Sequence, residues 1–203
     1  MTCRSRAPRR RRGALLLALA AALALPAAPA RPYDAEAGRQ KAEPCAACHG
    51  PQGNSTTPGV PSLAGQPPRY LILALYQFRA GRRQSEAMTP FAAPLADEDL
   101  GNLAAYFAAQ APAPPRHETD PARATAAAAL AQQNHCVECH GPALLGQEHI
   151  PRLAGQDRDY VLAQLRGFKA ATRADIDGLM TSAAQPLSDA DIDLLADYLA
   201  GLR

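Results

Sequence analysis

Apolar residues in this chain fall at the three- and four-residue spacing of helices, and no stretch alternates with the period of two that marks a strand. Within residues 70–80, Leu71, Leu75 and Phe78 line one helical face, and Val161, Leu165 and Phe168 line an equivalent one further along. Ile192, Leu195 and Leu199 form a third stripe, matched by Leu100, Leu103 and Phe107. Start signals agree with these periods. Asp120-Pro121 offers a cap followed by proline at the first helical position, and it opens an alanine-rich helix running toward Cys136. Ser188 and Asp191 stand three apart, as in a capping box, ahead of the last stripe. Asp34 is placed to open a helix in the first half, against the breaking tendencies of Gly38 and Pro44. The pattern predicts an all-α protein.

The first thirty residues read as an address and not as fold. Arg4, Arg6 and Arg9 to Arg12 precede an apolar run over 13–25, and small residues end it at Ala28-Pro29-Ala30. That is a secretory signal with cleavage expected after Ala30. Its thirteen apolar residues reach only ~20 Å as a helix, against a bilayer core of ~30 Å, so a retained membrane anchor is the second choice. The segment holds 6 of the 21 basic residues and no acidic ones, so 15 basic and 19 acidic residues remain, a net charge of −4. The basic balance of the whole chain belongs to the address, and no nucleic-acid footprint is left. Residues 31–110 are balanced at seven and seven, whereas 111–203 carry eight basic and twelve acidic, an excess suited to steering a basic partner. A mean hydropathy of −0.22 excludes a polytopic membrane protein.

Four of the five cysteines define the organisation. Cys45-Ala-Ala-Cys48-His49-Gly50-Pro51 recurs as Cys136-Val-Glu-Cys139-His140-Gly141-Pro142, an offset of 91. Pro61-Ser-Leu-Ala-Gly-Gln66 recurs as Pro151-Arg-Leu-Ala-Gly-Gln156 at 90, with Tyr70 and Phe78 matched by Tyr160 and Phe168. Met88 pairs with Met180, and Tyr106 with Tyr198, at 92. Offsets so nearly constant mean two copies of one domain, over 31–110 and 120–203, joined by the proline-rich linker 111–119. With four Phe, six Tyr and no Trp in 203 residues, each copy has a thin core that needs a staple or a cofactor.

C-x-x-C-H is the attachment signature of c-type haem. Two thiols on one turn of backbone reach the two vinyl groups of one macrocycle, and the adjacent His presents its imidazole to the iron from the same side. Both sulfurs are consumed, so pairing the cysteines as disulfides does not apply. The attachment needs reduced, unfolded chain, which favours export before folding. A four-cysteine zinc site is opposed by the 87 residues between the pairs and by the His that follows each. Thioredoxin-like chemistry needs a βαβ context that a helical chain lacks. Two covalent haems are expected, held through Cys45, Cys48 and His49, and through Cys136, Cys139 and His140.

Each iron then needs a sixth ligand or an open position. Beyond the initiator the only methionines are Met88 and Met180, 39 and 40 residues after their histidines and at one place in the repeat. They are the expected distal ligands, so His49, Met88, His140 and Met180 bind the two irons. His/Met ligation raises the reduction potential, as suits an electron carrier. His117, His135 and His149 do not repeat and read as exposed loop residues. Pro61 and Pro151 are candidates to offer a carbonyl to the proximal histidines. Tyr70 and Tyr160 are candidates for haem contact or for core packing.

These residues resemble the class I cytochromes c, and their tandem arrangement resembles the di-haem cytochrome c4 family. C-x-x-C-H-G, P-x-L-A-G-Q followed by x-x-Y, the Met loop and P-L-[AS]-D-x-D-[LI] before the last helix carry the likeness across residues 34–203. The resemblance implies two cytochrome c folds with facing haems that exchange electrons. It also implies a periplasmic carrier, often membrane-associated, between respiratory donors and a terminal oxidase or other acceptor, with no reaction of its own. One departure is that Thr181-Ser182 stands where the first copy has Thr89-Pro90, so the second Met loop lacks a proline's rigidity. The runner-up is the di-haem subunit of a flavocytochrome c sulfide dehydrogenase-like complex. A di-haem peroxidase or thiosulfate dehydrogenase comes third, because a Met at the matching place in both copies opposes an iron site that opens.

Overall fold

The computed structural model describes residues 33–203 together with the first two residues. The expected signal segment, with its expected cleavage after Ala30, lies outside the described residues. Among the described residues ten α-helices follow one another: α1 (Ala35–Lys41), α2 (Ala46–His49), α3 (Pro68–Arg79), α4 (Met88–Ala92), α5 (Asp97–Ala108), α6 (Pro121–Gln133), α7 (Cys136–His140), α8 (Arg158–Lys169), α9 (Leu179–Ala184) and α10 (Asp189–Gly201). Among the described residues there is no strand, only one isolated bridge between Gln147 and Ile150. No described helix is long and apolar enough to cross a membrane.

The starts of the helices follow their caps. Asp34 accepts from the N–H groups of Glu36 and Ala37, and Asp120 from those of Ala122 and Arg123, satisfying donors that a helix start leaves orphaned. Ser188 and Asp191 close a reciprocal box on α10, with the Asp191 N–H donating to Ser188 and the Ser188 N–H to Asp191. In the first half Ala96 holds that place. Only the return bond survives there, from the Ala96 N–H to Asp99 at 2.9 Å. Pro44 does not break α1, because the chain has already turned into a short 3₁₀ segment, Glu43–Cys45.

Gly38 is a packing requirement. A Cβ there would stand 1.9 Å from the Asn102 carbonyl oxygen, so only glycine lets α1 lie this close to α5. In the first half Leu71 on α3 meets Leu103, Ala104 and Phe107 on α5, with Cys45 packed against the cluster. In the second, Ile192, Leu195, Ala196 and Leu199 on α10 meet Ala131, Leu144 and Val161, and Cys136 borders both parts of that core. The first cysteine of each turn thus packs on the helical core of its own half. Residues Pro32–Arg203 form one compact unit containing both halves.

The stretch 111–119 is tied at both ends. The Asn54 side chain donates to the Ala111 carbonyl at 3.1 Å and accepts from the Ala113 N–H at 2.7 Å. Thr119 donates to the Asp197 carbonyl at 2.7 Å. His117 departs from the expected exposed loop residue, since it is half-buried with Nε2 3.2 Å from the Asp197 carboxylate. His135 and His149 are exposed as expected.

Candidate functional site

The second C-x-x-C-H forms α7, whereas in the first Cys45 ends the 3₁₀ segment and the rest forms α2; each is followed by a glycine, with φ of +74° (Gly50) or +84° (Gly141). Glycine takes this conformation without the Cβ clash, and so the chain leaves the turn directly after the histidine. The first cysteine of each pair, Cys45 or Cys136, is half-buried against the core, while Cys48 and Cys139 are exposed. None of the four is paired in a disulfide, and before any attachment burial pushes the Cys45 and Cys136 thiols above the ordinary thiol range. The two pairs belong to separate halves. Among the described residues no group of three or more His, Cys, Asp or Glu gathers as a metal centre, so a shared four-cysteine zinc site has no geometry to support it.

The histidines are buried, His49 to 6% exposure and His140 to 4%. His49 Nδ1 lies 2.8 Å from the Pro61 carbonyl oxygen and His140 Nδ1 2.8 Å from that of Pro151. A carbonyl can only accept, so Nδ1 carries the proton and Nε2 keeps its lone pair. Burial holds both rings below the usual imidazole range, against the smaller upward effect of that hydrogen bond. A neutral imidazole with a fixed tautomer and a free Nε2 is what an iron ligand requires. The prolines do present the carbonyls expected of them.

The methionines occupy matching short helices, though different anchors hold them. Met88 begins α4, which packs on α3, and its N–H donates to Ser85 Oγ at 3.1 Å. Met180 lies on α9 beside α8, and its N–H donates to the Asp175 carboxylate at 2.7 Å. Asp175 also accepts from the Thr181 N–H and hydroxyl. The second loop, expected to lack rigidity for want of a proline, has this carboxylate anchor instead.

Tyr70 and Tyr160 meet between the halves. Arg83 donates to the Tyr160 hydroxyl and to Gln164, both at 3.0 Å, and Arg173 donates to the same Gln164 oxygen at 2.6 Å. Each guanidinium stacks on its own half's aromatic ring, Arg83 over Phe78 and Arg173 over Phe168. Two positive charges share one amide oxygen, and among the described residues no carboxylate pairs with either. Arg173 Nε is buried without a partner. Such a cluster suits a group that brings its own carboxylates, as haem does with its propionates. The acidic excess of the second half, by contrast, is largely employed within it. Asp120, Asp157 and Asp191 cap helices, and Arg123 and Arg158 bracket Asp193 and Asp197.

The halves dock through the two copies of the P-x-L-A-G-Q motif, one on each side. Gln66 is 2% exposed, and its amide accepts from the Arg152 N–H and donates to the Arg152 carbonyl, both at 2.9 Å. Gln156, 4% exposed, treats Ser62 alike, at 2.7 and 2.9 Å. The repeat made both glutamines visible in the sequence, but their role was not. Neither Arg83, Arg173 nor Asp175 carried a sequence signal for its role.

Comparison with known proteins agrees with this duplicated arrangement. A family model described as cytochrome c matches residues 124–203, and one described as cytochrome c oxidase, cbb3-type, subunit III matches residues 35–107. Cytochrome c4 of Thiocapsa roseopersicina is 43% identical over 181 residues, covering 83% of this chain and 93% of that protein. A protein of Thiomonas intermedia named as a thiosulfate dehydrogenase electron acceptor is 34% identical, with 84% of each chain covered. The crystal structure of reduced recombinant cytochrome c4 from Pseudomonas stutzeri superposes with a TM-score of 0.78 at 36% identity, covering 84% of this chain and 99% of that one. With two cysteine-histidine turns, two buried imidazoles on proline carbonyls and this likeness over both halves, the chain belongs to the cytochrome c4 family of di-haem electron-transfer proteins and carries covalently bound haem c.

Proposed function

We propose that this protein carries electrons in the periplasm between a respiratory donor and a terminal oxidase or other acceptor, working by docking to redox partners and not by transforming a substrate. The observation that carries this reading is the repeated pairing of a buried His, fixed by a proline carbonyl, with a methionine at the matching loop of each half. In it Cys45 and Cys48, and Cys136 and Cys139, tether one macrocycle each. His49 and Met88 would bind one iron, and His140 and Met180 the other. When bound, haem supplies one-electron iron chemistry at a potential raised by the methionine sulfur. Arg83 and Arg173 offset the propionate charge between the halves. With these four residues as ligands, neither haem iron would offer an open position for a substrate, and encounters with redox partners would stay small and weak so that release does not limit turnover.

Carbon monoxide tests the reading. Added to the reduced protein at neutral pH, it should leave the spectrum of both haems unchanged, because no axial position is vacant. Substantial binding to either one overturns the carrier reading in favour of an enzyme or sensor.

A second reading, that the donor is a dehydrogenase oxidising thiosulfate, draws support from the Thiomonas intermedia relative's name. Stopped-flow reduction of this protein by a purified thiosulfate dehydrogenase, with thiosulfate present, separates it from the first.

A further inference from the structure

The hydrogen bonds that join the halves fall on the same two peptide groups that hold the histidines. The carbonyl of Pro61, which accepts from His49, belongs to the peptide whose N–H is that of Ser62, and that N–H donates to Gln156 Oε1 at 2.7 Å. The carbonyl of Pro151, which accepts from His140, shares its peptide with the Arg152 N–H, and that N–H donates to Gln66 Oε1 at 2.9 Å. Each imidazole is therefore two hydrogen bonds from a glutamine of the opposite half. The relation is reciprocal, and the other end of each glutamine amide closes a ring onto the carbonyl of the same residue, 62 or 152.

We propose that Gln66 and Gln156 are positioning residues that set the basicity of the proximal histidine across the interface, Gln156 acting on His49 and Gln66 on His140. A peptide whose N–H donates carries more negative charge on its carbonyl oxygen, and each bond in such a chain strengthens the next by roughly 10–30%. The Pro61 carbonyl, polarised by Gln156, draws harder on His49 Nδ1–H and leaves Nε2 a better electron donor to iron. That favours the oxidised state and lowers the potential of the haem in the first half. Docking of the halves thereby sets the electronic state of both sites at once, through bonds that exist only while they are docked. Solvent does not compete, since both glutamines are buried. The inference rests on His49 and His140 being the proximal ligands.

Gln156→Met keeps the volume and removes both bonds. In nuclear magnetic resonance of the reduced protein, the His49 Nδ1–H resonance should move upfield while that of His140 stays in place. In a redox titration followed on resolved haem methyls, the oxidised-to-reduced ratio of the first-half haem should fall about threefold at fixed potential, ~28 mV at ~59 mV per tenfold. Gln66→Met should give the mirror image. Gln156→Glu restores an acceptor and should return the His49 proton downfield, and it decides the matter alone should the Met variants not fold. A shift in the mutated half's own haem, equal shifts in both, or no shift overturns the coupling. Haem ring-current shifts on the His49 and His140 ring protons report ligation in every variant, so loss of the ligand assignment reads out separately from loss of the coupling.

Discussion

The backbone N–H of Met180 donates to the Asp175 carboxylate at 2.7 Å, so one side chain five residues upstream fixes where the second methionine loop begins. Thr181 adds two further bonds to the same carboxylate. Burial pushes the Asp175 carboxyl up, but the bonds donated by Met180 and Thr181 oppose it, and the carboxyl lies below the ordinary carboxylate range. A depressed carboxylate contributes stability that is present above its unfolded value of ~3.9 and lost as pH falls through the lower folded one. In acid titration of the oxidised protein, Asp175→Asn should therefore lose the sulfur-to-iron charge-transfer band of one haem at a higher pH than the natural protein does. An unchanged acid transition means the loop is held by other contacts.

Replacing one methionine separates the haems. Met88→His should lower the potential of the first-half haem, because imidazole in place of thioether favours the oxidised iron, and should leave the second nearly unchanged. Potentiometry with the two haems resolved is the measurement. If spectrum and potentials stay as they were, Met88 is a packing residue.

One covalent haem is proposed at each cysteine-histidine turn. Acid-acetone extraction of the denatured protein should leave two haems on each chain, read as added mass. Recovery of free haem from either half contradicts a complete attachment site there.

The tyrosines between the halves should titrate apart. Burial alone raises the Tyr160 phenol, yet the Arg83 and Arg173 charges reverse this and bring it to about 8, while burial pushes the neighbouring Tyr70 up. Ultraviolet difference titration should show one tyrosinate forming near pH 8, absent in Tyr160→Phe. Between that value and the unfolded one of ~10, the folded state binds fewer protons, so unfolding free energy rises with pH. That rise should vanish in the Phe variant.

Gly38→Ala tests the packing of α1 on α5. Alanine favours a helix over glycine by about 1 kcal/mol, but its Cβ would meet the Asn102 carbonyl oxygen at 1.9 Å. The clash involves backbone that cannot swing aside, so a net loss of about 1–3 kcal/mol is expected by urea unfolding. A variant as stable as the natural protein shows that α1 can slide.

The sequence by itself determined everything that short spacings encode. Helices around Leu71, Leu103 and Leu195, the caps at Asp34, Asp120 and Ser188, and the two attachment turns all rest on residues within about one turn of each other. The internal repeat extended that reach to Met88 and Met180. Tertiary structure alone decided the face where the halves meet. Gln66 finds Arg152 across 86 residues, and Gln156 finds Ser62 across 94. A buried amide needs a partner, but nothing local says which, because the partner is chosen by how two finished surfaces dock. The same holds for Arg83, which reaches Tyr160 in the other half, and for His117, which the docked linker lays against Asp197. Periodicity and motif report on neighbours along the chain, whereas these contacts arise only when two separately folded copies exclude water between them.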